Sequence, residues 1–214
     1  MRHTKIAGLF AALLALGAVF AAVASATAKP TLLTLKTAKG VLATGAAIKA
    51  ESSNLIFVTS AGNLECSTNV LTGTVTKNNE TKDTGSVTAE SSTGHETDNE
   101  CKTTTPLGPA EIKSSGFPWP ITFTDKGVAE VKGTKKVIFT SVFPGAGVTC
   151  VFEASKVKAS FTIGGPLKIT TSNQVFKANK KTSGAACPKE GKLSGEFSLT
   201  SSGETIESEL TAKT

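Results

Sequence analysis

The sequence predicts an all-β protein, an antiparallel sandwich or barrel built as two similar halves. Three observations lead there. Beyond residue 30 the ordered stretches are dominated by Thr, Val, Ile and Phe, the residue types that suit a pleated, half-buried surface. Those stretches are short and recur at spacings of about 8–12 residues, separated by turns rich in Ser, Gly, Asn and Lys. No window beyond the first 28 residues keeps an apolar 3.6-residue period over ten residues with helix caps.

Taken in order, strands are expected at residues 32–37, 46–51 and 55–60. The turn Ala61-Gly62-Asn63 leads into 64–66 and on to 71–76; residues 78–83 form a polar turn, and 86–90 returns antiparallel. Residues 91–106 carry Glu96, Asp98 and Glu100 with almost no apolar side chain, and read as a long surface loop pinned at Cys101. Gly116-Phe117-Pro118-Trp119-Pro120 reads as the crossover between halves, because each proline removes a ladder donor. Later strands are expected at 121–124, 128–132, 137–143, 148–154, 157–163, 167–171, 174–178, 193–200 and 205–210, with Pro144-Gly145-Ala146-Gly147 as a hairpin turn.

The two halves are residues 29–115 and 116–214, able to pack as one domain. Leu55-Ile56-Phe57-Val58-Thr59-Ser60 precedes Cys66, and Val137-Ile138-Phe139-Thr140-Ser141 precedes Cys150. Phe57 and Phe139 are 82 residues apart, Cys66 and Cys150 are 84 apart, and Cys101 and Cys187 are 86 apart. A nearly constant offset is what a diverged duplication leaves. The competing explanation is chance, since β-rich chains reuse Ile, Phe, Thr and Gly in similar orders.

Residues 1–28 have the three parts of a cleavable secretory signal. Arg2 and Lys5 precede a charge-free apolar run from Ile6 to Val23, and Ala24-Ser25-Ala26 and Ala26-Thr27-Ala28 supply small-residue exits. An uncleaved anchor is the rival reading of 18 apolar residues. No later run reaches spanning length, so no stable membrane span is expected after cleavage. Cys66, Cys101, Cys150 and Cys187 all follow the signal, and four cysteines in an oxidising compartment suggest two disulfides with three possible connectivities. The intervals Cys66 to Cys101 and Cys150 to Cys187 are 35 and 37 residues. If the halves are a duplication, those are the bridges, each worth roughly 3–4 kcal/mol on the chain-entropy account.

Composition bears on function mainly by what it lacks. After cleavage the chain has no Arg, Met or Tyr, one Trp (Trp119) and one His (His95). A hydrolase triad needs a nucleophile and a base, and His95 sits in a polar stretch with no Gly-x-Ser-x-Gly elbow anywhere. Oxidised cysteines offer no thiolate, and with no Cys-x-x-Cys pair neither a metal site nor a cofactor is expected. A glycosidase needs only two carboxylates, which 17 acids can supply, although the aromatic rings that stack sugars are scarce.

Charge is unevenly placed. Residues 29–101 hold 6 Lys and 8 acids, net −2, whereas residues 102–194 hold 14 Lys and 5 acids, net +9. Lys132, Lys135, Lys136, Lys156 and Lys158 are the candidate polyanion-binding set, with Lys156 and Lys158 on one strand face. The plainer reading is solubilising lysine that also protects strand edges. Nucleic acid is not expected as a partner, because the exported chain has no Arg to read guanine.

Several short motifs bear a resemblance. They are Gly62-x-x-x-Cys66, Phe117-Pro118-Trp119-Pro120, Gly147-Val148-Thr149-Cys150, and Cys187-Pro188 followed by Leu193-Ser194-Gly195. With the Ala-rich signal, the arrangement is similar to a family of uncharacterised exported four-cysteine proteins of soil actinobacteria. The resemblance implies a β-rich exported domain and supplies no activity. The expected function is therefore a non-catalytic exported β domain, secreted or associated with the cell envelope, that binds or forms structure there. An anionic envelope polymer is its expected partner. The alternative is a secreted hydrolase using a carboxylate pair.

Overall fold

The computed structural model describes residues 31–93 and 100–213. The signal segment and His95 lie outside the described residues. In the first half the strands are β1 (Thr31–Thr37), β2 (Gly40–Val41), β3 (Ala47–Ser52), β4 (Leu55–Thr59), β5 (Gly62–Cys66), β6 (Thr68–Lys77), β7 (Lys82–Thr93), β8 (Glu100–Thr103) and β9 (Ala110–Ser115). In the second they are β10 (Trp119–Thr124), β11 (Val128–Val131), β12 (Val137–Phe143), β13 (Val148–Ala154), β14 (Val157–Phe161), β15 (Gly165–Pro166), β16 (Lys168–Ala178), β17 (Glu190–Ser201), β18 (Glu204–Thr205) and β19 (Glu207–Ala212).

The pairings, all antiparallel, close two rings. In ring one the order β3-β6-β7-β10-β11-β14-β16-β17 returns to β3. In ring two the order β4-β5-β8-β9-β12-β13-β16-β17 returns to β4. The long hairpin β16–β17 belongs to both. Its Thr170 faces Ser160 of β14 in ring one, and its Lys177 faces Glu153 of β13 in ring two. Between Thr171 and Gln174 the hairpin register shifts, a bulge at which the strand turns from one ring to the other. There Gln174 Oε1 accepts from the Lys158 amide and Ser194 Oγ from the Asn173 amide. The sequence reads two strands at 167–178; the structure joins them across that bulge. Ring closure gives each strand of the two rings a partner on both sides.

The same pairing scheme occurs twice. β3–β6, β4–β5 and β6–β7 recur as β11–β14, β12–β13 and β14–β16. Ring one takes β3, β6 and β7 from the first half and β10, β11, β14, β16 and β17 from the second. The halves therefore interleave and share both interiors. The bridges match this symmetry: Cys66 of β5 joins Cys101 of β8, and Cys150 of β13 joins Cys187 in the β16–β17 connection.

Two expectations are corrected. Residues 91–106 are not one loop: 91–93 extend β7, and β8 pairs at Leu64↔Thr103 and Glu65↔Lys102. The disulfide holds a polar segment against β5, and Thr and Ser suit a strand whose outer face is wet. Trp119 and Pro120, assigned to the crossover, begin β10 opposite Val87 and Ser86. A strand's opening positions tolerate the missing donor, and the Pro120 carbonyl still accepts from the Lys132 amide.

The rings are filled differently. In ring two Phe139, Phe152 and Phe176 surround Phe57, with ring centroids 4.9, 4.9 and 6.1 Å away. Gly191 makes room for this cluster, because a Cβ there would lie 2.2 Å from Phe57 Cζ. At the far end of ring one sits a four-stranded sheet ordered β15-β19-β1-β2, whose Leu33 and Leu35, with Ile206 just before β19, are fully or almost fully buried. It is bonded to the turns of that rim: the Leu33 amide to Glu80 O, Thr31 Oγ1 to Asp125 Oδ2, and Ser208 Oγ to Thr162 O. Ring one is thus capped at one end and meets the phenylalanine cluster at the other.

Candidate functional site

Alternate residues of each strand in ring one face its interior: Ile48 and Ala50 on β3, Ala129 and Val131 on β11, Val157 and Ala159 on β14, Phe197 and Leu199 on β17. Their neighbours Lys49, Lys158 and Ser160 are exposed. Several inward positions are small. Ala129 faces Ala159 across β11–β14, and Gly85 faces Ile121 across β7–β10. An eight-stranded ring is just wide enough for large side chains to fill, so small ones leave space. The space is a cavity of about 160 Å³ with an almost wholly apolar lining. Ile48, Leu71, Val87, Ile121, Val131 and Val157 line it and keep accessible surface, while the buried Phe139 and Phe176 of the ring-two cluster also contribute to its wall. Trp119 is also in the wall, stacked on Phe117 at 4.2 Å with Nε1 donating to Ser115 O at 3.1 Å.

Comparison of the chain with protein-family models, curated proteins and solved structures returns no match. The site is therefore read from its own chemistry.

Glu90 is the one ionisable residue in the lining. Burial pushes its carboxyl above the ordinary range, against hydrogen bonds from Ser92, Ser114 and Asn69 side chains and the Ser114 amide. Asn69 Nδ2 also reaches Ser92 Oγ at 2.6 Å, so this polar group ties β6 and β7 to β9. Asp83 is fully buried near the cap; burial raises its carboxyl to about 6, opposed by the Glu80 and Asn79 amides. Its Oδ1 accepts from the Glu80 amide at 3.1 Å, and its Oδ2 has no partner.

The five candidate lysines have different partners. Lys136 is paired with Glu153, and Lys156 and Lys158 face Glu130 at 4.0 and 3.9 Å. Among the described residues Lys132 and Lys135 form no ion pair; they border a shallow depression with Pro118, Pro120 and Ser86. Cys66, Cys101, Cys150 and Cys187 are all in disulfides and offer no ligand or nucleophile. Among the described residues no three His, Cys, Asp or Glu side chains gather to hold a metal, and no helix is long and apolar enough to cross a membrane.

Sequence reasoning missed the lumen and Glu90. The available signal was Ala or Gly at inward strand positions such as Gly85, Ala129 and Ala159.

Proposed function

We propose that the chain is an exported, non-catalytic β domain that binds a small molecule in the lumen of ring one. The observation that carries this is the apolar cavity of ring one, where Ala129, Ala159 and Gly85 leave space between larger side chains. Concave apolar space with few polar groups is how small-molecule sites are commonly built. Export is supported by the two disulfides, which fit an oxidising compartment outside the cytoplasm, and by the signal-like opening sequence. Release into the medium and retention at the envelope are both compatible with it.

A second contact, with an anionic envelope polymer, is supported by Lys132 and Lys135, which form no ion pair among the described residues. The carboxylate-pair hydrolase draws little support. Asp83 and Glu90, the two carboxyls that burial pushes up, are seven residues apart on β7. That is roughly 20 Å at the rise of an extended strand, where glycosidases need about 5–10 Å.

The test is native mass spectrometry of protein recovered from the extracytoplasmic fraction of its own cells. A small-molecule adduct on the natural protein, absent from Ala159→Leu, is expected. Bare protein in every preparation, from medium and envelope alike, would contradict lumenal binding.

A further inference from the structure

The lumen's electrostatics restrict what it can hold. Its lining includes no lysine, so an anionic head group would enter apolar space with no cation to meet it. Burying an unpaired charge costs far more than apolar contact returns. A cationic head would find only Glu90, whose oxygens already accept from Asn69 Nδ2, Ser92 Oγ, Ser114 Oγ and the Ser114 amide. A carboxylate has about four lone-pair sites, so four donors leave none for a ligand. The polar group is a structural tie between strands, and the usable surface is the apolar wall.

Size narrows the class further. A cavity of about 160 Å³ is close to the dry apolar cavities that hold a single benzene ring. We infer that the ligand is a neutral apolar molecule of single-ring size, such as an unsubstituted or alkyl-substituted aromatic, bound between β3, β10, β11 and β14 without a charged head group. The inference rests on the lumenal reading and adds the ligand's class.

The experiment compares toluene, benzylammonium and benzoate, three compounds that share a ring and differ in the charge of one substituent. Readouts are the thermal midpoint, which rises for any ligand that binds the folded state alone, and the emission of Trp119, the one tryptophan of a chain without tyrosine. Toluene is expected to bind, with benzoate and benzylammonium at least tenfold weaker. Ala159→Leu should abolish the toluene response and the outer-face change Ser160→Ala should keep it; Val131→Leu serves if Ala159→Leu does not fold. Benzylammonium or benzoate binding as well as toluene would overturn the ligand class and leave the lumen standing. No response to any of the three, or a response that survives lumen filling, would overturn the lumenal reading itself.

Discussion

Asp83 carries the clearest single-residue consequence. Its carboxyl is fully buried with one oxygen unpartnered, and burial raises its pKa from 3.8 to about 6. In the unfolded chain the group loses its proton near 3.8, whereas the folded protein holds it to about 6. Between those values the folded state binds more protons, so the contribution to stability falls as pH rises through the window and is flat above it. At 1.36 kcal/mol per unit the loss is of order 3 kcal/mol. Asp83→Asn keeps the acceptor for the Glu80 amide and removes the charge. Urea unfolding from pH 4 to pH 7 should show the natural protein losing stability relative to this variant; parallel curves would contradict the assignment. At Gly191 the reason is volume, since a Cβ would lie 2.2 Å from Phe57 Cζ in the tightest part of ring two. Gly191→Ala should cost about 1–3 kcal/mol, the usual penalty for overpacking, read as a lower urea midpoint at unchanged slope. Neither effect was legible beforehand. Residues 78–83 read as a polar turn, which ends at 81 because Lys82 and Asp83 open β7, and burial of Asp83 depends on β1, which arrives from far along the chain to pair at Glu80.

At the scale of elements, apolar alternation located the strands well, and it failed where pairing rather than composition makes the strand. β8 is polar and forms because a disulfide holds Cys101 beside β5. The sequence also grouped five lysines that the strands then separated by partner. Register places Glu130 opposite Lys158, and β12–β13 places Glu153 within reach of Lys136. These acids lie too far along the chain to be credited from sequence alone. Exposed pairs of this kind add little stability, yet they cancel long-range field, so envelope attraction should run through Lys132 and Lys135. A Lys132→Gln, Lys135→Gln double variant should lose most salt-sensitive retention on isolated envelopes, while Gln at 136, 156 and 158 should lose little. Retention should fade for the natural protein as the Debye length contracts from ~8 Å at physiological salt to ~3 Å at 1 M. Loss confined to the second variant would contradict this division.

At the scale of the molecule, the offsets of 82, 84 and 86 residues suggested two copies, and the pairings repeat as two copies would. The interleaving was not visible, because local periodicity carries no information on which copy a strand joins. The lumen follows from that interleaving: β11 and β14 of the second half set Ala129 against Ala159 in a ring that β10, β16 and β17 of the same half complete with β3, β6 and β7 of the first. The central claim is that this interior is open, apolar and reachable, and a crystal held under xenon pressure tests it most directly. Xenon density is expected inside ring one, between Ala129, Ala159 and Ile121, and nowhere within the phenylalanine cluster of ring two. A ring one filled by its own side chains, or one that admits no xenon while remaining folded, would contradict the account.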